Sequence, residues 1–137
     1  MNIALTYNEP FTGETQSTAA QTAAQVDAFA DRLLERYLAA GDPFVPGLEL
    51  RADNGESLSI AVAPSGWALI RSDANLDQTC TRCKRHSPAG TISVRWEEPT
   101  SVPNSWFVPK ADAMIGVDRW MNGDGLAAEL EWSDDCA

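Results

Sequence analysis

Apolar positions along this chain recur with two periods, and their alternation outlines the fold. Ile3, Leu5 and Tyr7 alternate with polar neighbours, the pattern of a strand with one buried face. A break at Pro10 and Gly13 follows. Thr15, Ser17 and Thr18 then stand as candidate N-caps, because a hydroxyl can accept from the free N–H groups of a first helical turn. Val26, Phe29, Ala30, Leu33, Leu34 and Tyr37 fall at helical spacing and predict a long amphipathic helix, stopped by Gly41 and Pro43. Leu48 and Leu50, then Leu58, Ile60 and Val62, flank Asp53-Asn54-Gly55, a strong hairpin signal. Residues 67–72 continue the meander after Pro64-Ser65-Gly66. Residues 91–97 add a further strand with Ile92, Val94 and Trp96 on one face. Between these two strands, residues 73–90 have no apolar period and read as an irregular loop.

The last quarter of the chain is patterned throughout. Residues around Ser105 read as a short strand, and Pro109 suits a first helical position, where a missing N–H leaves nothing unpaired. Ala113, Gly116, Val117, Trp120 and Met121 form one helical stripe, and Gly123 and Gly125 stop it. Leu126, Ala128, Leu130 and Trp132 then alternate with Ala127, Glu129 and Glu131 as a closing strand. The expectation is a single domain over residues 1–137, of α+β class. It is a two-layer fold, a mostly antiparallel sheet with a long N-terminal helix and a second helix packed on one face. The opposite sheet face should then be wet, and Glu49, Arg51, Asp53, Ser57, Ser59, Ser93, Arg95 and Glu97 supply polar outward positions.

Composition narrows the function classes. At 137 residues, with 44% hydrophobic and 22% charged, the chain can bury a core and is not a disordered tail. It shows neither a charged leader followed by an apolar run nor any stretch approaching the ~18 apolar residues that cross a bilayer. Three cysteines, two of them only three apart, make a poor extracellular framework, so reduced thiols in a cytoplasm are expected. Twenty acidic residues against ten basic ones give a formal net charge of −10. Such a surface repels nucleic acid and anionic membranes and attracts a basic partner.

Candidate chemistry is sparse. Cys80-Thr-Arg-Cys83-Lys-Arg-His86 has zinc-ligand types, but a closed site needs a fourth ligand, which Cys136, Asp77 or Asp73 would have to supply. No metal or other cofactor is therefore expected. A small zinc- or redox-responsive regulator built on Cys80, Cys83 and His86 is the second reading. Zinc deaminase chemistry needs a His-x-Glu upstream of Pro-Cys-x-x-Cys, and neither is present. The single histidine, His86, lies among Arg82, Lys84 and Arg85, which disfavours it as a base, and there is no nucleophile elbow or phosphate-binding glycine loop. No catalytic residue is assigned, and a non-enzymatic binding protein is the reading that remains.

Five tryptophans are many for this length, and tryptophan anchors both cores and interfaces. Trp96, Trp120 and Trp132 lie on apolar faces, Trp67 shares a face with Arg71, and Trp106 beside Pro103-Asn104-Ser105 is placed at the surface. From about Val26 to Trp132 the order of elements resembles that of the bacterial immunity proteins paired with deaminase-type polymorphic toxins (immunity protein family 1). The resemblance runs through helix, hairpin, meander, variable loop, strand, Val-Pro helix, glycine, and a strand ending in tryptophan. The residues that carry it, Val108, Pro109, Ala113, Gly123 and Trp132, are scaffold positions. It implies a cytoplasmic, non-catalytic inhibitor that occludes the active site of a basic, nucleic-acid-acting toxin domain. Asp73, Asp77, Glu97 and Glu98 would stand in for phosphates, with Trp106 as anchor.

Overall fold

The computed structural model describes residues 3–84 and 89–136. Two N-terminal strands, β1 (Ile3–Asn8) and β2 (Thr15–Ala20), precede helix α1 (Ala23–Ala40). A meander follows: β3 (Val45–Ala52), β4 (Ser57–Ala63), β5 (Gly66–Ser72) and β6 (Gln78–Arg82). A small hairpin, β7 (Thr91–Arg95) and β8 (Pro99–Pro103), runs through a 3₁₀ turn (Asn104–Trp106) into α2 (Lys110–Met121) and the short β9 (Glu131–Ser133). The architecture is α+β, with a mostly antiparallel sheet in the order β2-β1-β3-β4-β5-β6-β9; the β7–β8 hairpin joins it through parallel pairing of Val45 and Pro46 with Val94 and Arg95.

Alternation places the two sheet faces. Tyr7, Leu48, Ile60 and Leu69 lie directly opposite one another across β1, β3, β4 and β5, and their row faces the helices. Helix α1 buries Val26, Ala30, Leu33 and Tyr37 against it, and α2 buries Ala113, Gly116, Val117, Trp120 and Met121. Gly116 is required by close packing, since a Cβ there would sit 2.7 Å from Leu69 Cδ1. Lys110, at the start of α2, pairs with Asp27 and Asp31 of α1, and these hydrogen bonds raise its pKa.

The first helix is not N-terminal, contrary to expectation. Thr15, Ser17 and Thr18 lie in β2, and the cap is Thr22, which exchanges hydrogen bonds with Gln25 in a capping box. Thr-Gln-Ser-Thr-Ala-Ala carries no apolar alternation, so only its antiparallel pairing with β1 marks it as a strand. The supposed loop 73–90 likewise contains β6, short and polar at its start. The last strand is reduced to three residues. Ala127 and Leu130 are buried while Leu126 is 37% exposed, so the expected alternation from Leu126 is not realised. Pro109 sits at the N-cap with ψ 141° instead of inside the first turn.

The face away from the helices is not wholly wet. Gly47, Ala61 and Ala68 lie opposite one another on β3, β4 and β5, and this row of small residues admits a third layer. Ala61, Ala63, Ala68, Cys80, Val94, Val102, Trp106 and Phe107 form a second buried cluster there, beneath the β7–β8 hairpin. Gly47 lies directly under the Trp96 ring, which leaves no room for a Cβ, and the Trp96 indole donates to the Leu48 carbonyl at 3.1 Å. Ser93 and Arg95 therefore belong to this overlying hairpin and not to a bare sheet face.

One carboxylate ties the hairpin to the rest. Asp42, its side chain fully buried, accepts from the backbone N–H of Phe11 at 2.8 Å and of Phe44 at 2.9 Å, and from the Arg95 guanidinium at 3.1 Å. Arg95 also lies over the Phe44 ring. Nearby, the buried Tyr37 hydroxyl donates to the Asn8 carbonyl at 2.6 Å, and burial pushes its pKa up to about 12.

Burial acts to raise the Asp42 carboxyl, but the N–H donors and Arg95 outweigh it and hold its pKa below the ordinary 3.8. A carboxylate depressed in the folded state contributes stability above its unfolded pKa, and that contribution fades as pH falls through the folded one. Asp42→Ala strands two backbone donors and a mostly buried guanidinium, and should cost about 3 kcal/mol in urea denaturation at pH 7. The gap between variant and native protein should narrow as pH falls below the ordinary carboxylate value of 3.8 and through the lowered one of Asp42. An unchanged denaturation midpoint at pH 7 would refute this role.

Candidate partner-binding groove

Register on the far sheet face builds a groove row by row. Beside the covered row Gly47–Ala61–Ala68 runs a second, Glu49–Ser59–Ile70–Cys80, continued on β9 by Ser133. A third row, Arg51–Ser57–Ser72–Gln78, lies beyond it. The second row is the floor of a groove of about 360 Å³, walled on one side by Trp96, Glu97 and Glu98 from the β7–β8 turn and by Val102 and Trp106. Cys136 closes it from the C-terminal tail. An adjoining recess is lined by Asp73, Asp77, Thr79 and Asp134, and Gln78 belongs to both.

The residues singled out from sequence thus come together on one side of the molecule, though not all in the expected way. Glu97 and Glu98 are exposed in the β7–β8 turn, and Asp77 is exposed in the β5–β6 turn. Trp106 is not a surface anchor, being only 8% exposed. Its carbonyl accepts from the Thr81 hydroxyl at 2.8 Å, and Arg82 stacks 4.7 Å from its ring centroid. The 3₁₀ turn rolls the indole inward over the second cluster, so it contributes an edge of the groove wall. Trp67 is core, at 2% exposure.

Asp73 has a local task. Its Oδ1 accepts from the N–H groups of Asn75 at 2.9 Å and Asp77 at 3.0 Å, which shapes the tight turn that carries exposed Leu76 at positive φ. Asp77 is free of this duty. Glu49, Asp134 and Trp96 were not picked out from sequence as binding residues. Glu49 could have been found from its parity beside Ser59; the groove position of Trp96 depends on the hairpin folding over, which no local pattern announces.

Two of the three cysteines are paired. Cys80 is disulfide-bonded to Cys136 across a sequence separation of 56, with Cα atoms 6.2 Å apart, which corrects the expectation of reduced thiols. The Cys80 sulfur is consequently not free to join Cys83 as a metal ligand, and Cys83 opens instead onto a cleft beside Val108 and Pro109 on the helix side. His86 lies outside the described residues. Among the described residues, no group of three or more His, Cys, Asp and Glu side chains is placed to hold a metal ion. The disulfide holds the tail against β6, helped by Arg82, which donates to the Asp135 carbonyl. Asp134 is thereby fixed beside Asp77 in the recess.

No helix among the described residues is long and apolar enough to cross a membrane. Comparison of the chain with protein-family models and with curated proteins finds no match.

Removing the cross-link tests how the groove's end wall is held. A bond closing a loop of this size is worth about 4 kcal/mol through chain entropy. Cys136→Ser should lose stability of that order in urea under non-reducing conditions. Native protein should show the same fall when reductant is added, and the variant should not respond to it. A reductant effect that persists in the variant would assign the stabilisation elsewhere.

Proposed function

We propose that this protein is a non-catalytic immunity protein that binds a basic, nucleic-acid-acting toxin domain of the deaminase class and covers its active site. The observation that carries the reading is the gathering of Glu97 and Glu98 at the rim of the groove and of Asp77 and Asp134 in the recess that shares Gln78 with it. None of the four has a cationic partner among the described residues. Carboxylates spaced along such a face resemble a phosphate backbone in charge, which is what a nucleic-acid-binding groove attracts. Val108 and Pro109 lead into α2, Gly123 follows its end, and Trp132 lies in the final strand.

The resemblance to immunity proteins, and not the cysteines, carries the reading that the protein works in the cytoplasm of the producing cell, where a toxin would otherwise act on that cell's own nucleic acid. It supplies no catalytic group and no cofactor; inhibition is by occlusion. The carboxylates steer encounter, so association is fast and falls with salt. Its fold is held by the helix-side core, leaving turns and groove rim to set which toxin is recognised.

Co-expression with the toxin domain encoded beside the gene is the direct test. Cells should survive the toxin only when this protein is present, and the two should co-purify. In calorimetry, Asp77→Lys and Glu98→Lys should each weaken binding by at least ~1 kcal/mol with the melting temperature nearly unchanged. Glu14→Lys, at the exposed β1–β2 turn, should do little. Asp73→Lys is expected to lower stability as well, because it removes the acceptor of its own turn. Failure to protect cells, or equal affinities for all the variants, would overturn the proposal.

A further inference from the structure

The composition of the groove restricts what can fill it. Its floor and wall are partly apolar, with Ile70, Trp96 and Val102, while its rim carries Glu97 and Glu98. Glu49 on the floor is already engaged by Arg51 at 2.7 Å, so the uncompensated charge lies at the rim. About 360 Å³ accommodates one long side chain with its flanking backbone, at the small end of ligand-sized cavities. A cation with a flat apolar face meets both demands, since it can lie on an indole while its edge meets carboxylates. The same wall already holds one such pairing, Arg82 on Trp106 at 4.7 Å. Trp96 is fixed for this role, its ring seated on Gly47 and its indole N–H bound to Leu48.

A cleft of about 300 Å³ at the start of α2 lacks this asymmetry. Arg82, Lys84, Asp112, Glu129 and Glu131 all line it, and the Lys84 ammonium is already spent on the Glu129 carbonyl at 3.2 Å. Among the described residues, the groove beside the β7–β8 turn is the one that combines an aromatic wall with unpaired carboxylates.

We infer that this groove receives an arginine side chain from a protruding loop of the partner, with the guanidinium laid on Trp96 and its N–H edge shared by Glu97 and Glu98. Arginine fits better than lysine because its guanidinium is planar and weakly hydrated and presents a fork of donors, whereas an ammonium is compact and strongly hydrated. The inference rests on the proposed function only in taking the occupant to be part of a basic protein.

Titration of isotope-labelled protein with capped hexa-arginine and hexa-lysine, followed by NMR, tests it without the toxin. The Trp96 indole N–H and the backbone amides of residues 97–101 should shift first, and hexa-arginine should bind at least ~3-fold more tightly than hexa-lysine. The double variant Glu97→Gln/Glu98→Gln should weaken hexa-arginine by about 10-fold. Asp112→Asn/Asp118→Asn, on exposed positions of α2, should have little effect. Shifts centred elsewhere, equal affinity for the two peptides, or equal losses from the two double variants would overturn the inference. Toxin protection separates the two claims. If hexa-arginine seats in the groove but no basic toxin is neutralised, the immunity reading fails and the arginine groove stands. If a toxin is neutralised equally well by the native protein and by Glu97→Gln/Glu98→Gln, the immunity reading stands and the groove inference falls.

Discussion

The third layer of this fold hangs on the Asp42 carboxylate. Its oxygens gather a β1–β2 turn amide, an amide of the loop after α1, and the guanidinium of β7, three segments far apart in sequence. A buried ion pair is weak evidence of stability in itself, because desolvation offsets much of the attraction. Here the backbone donors change that balance: they are groups that need an acceptor in any case, and a carboxylate with several N–H partners is content to stay charged. The consequence is geometric. Arg95 ends β7, so fixing its guanidinium fixes the turn that follows, and with it Trp96, Glu97 and Glu98. Beside this pin, two parallel pairs, the Trp96–Leu48 hydrogen bond and the buried cluster beneath hold the β7–β8 hairpin to the sheet.

How far the fold could be read from sequence follows from where the information is local. The helix-facing rows were legible, because Leu48, Leu50, Leu58, Ile60 and Val62 alternate and Val26, Ala30, Leu33 and Tyr37 recur at helical spacing, each a short-range periodicity. The Asn54-Gly55 turn was legible for the same reason, with Gly55 at φ 89°. Strand β2 was not, since Thr, Gln, Ser and Ala follow neither period and become a strand only by pairing with β1. Strand β6 was hidden likewise; its Thr81 points into the core, where it serves the Leu69 amide and the Trp106 carbonyl as a hydrogen-bond hub.

The site was legible in chemistry and not in shape. An excess of carboxylates, with Glu97 and Glu98 adjacent and Asp77 in a turn, can be seen in the residues themselves. That they border a groove and an adjoining recess depends on the register linking Glu49, Ser59, Ile70 and Cys80, and on a disulfide between residues 56 apart. Trp106 shows the limit most clearly. Flanking Pro and Asn suggested a loop, but the 3₁₀ turn there is wrapped over Ala61, Ala68 and Val102, which leaves only an edge of the large ring at the groove. The alanines at outward parity on β4 and β5 were the available signal, since small residues where charge is expected leave space for another layer.

Acidic groups concentrated on one fixed face act on the fold and on association in opposite senses. In the free protein, Glu97 repels Glu98 at the groove rim and Asp77 repels Asp134 in the recess, where the tail cross-link holds the C-terminal segment. Dissolved salt relieves that repulsion within a Debye length of ~8 Å at physiological strength, and so favours the folded chain. A basic partner relieves it more completely, because fixed cations replace mobile ones and none has to be gathered from solution. The strain of holding like charges together is therefore what makes the face responsive to an oppositely charged one. The larger core, between α1, α2 and the inner sheet face, lies on the other side of the sheet and has no share in the charge.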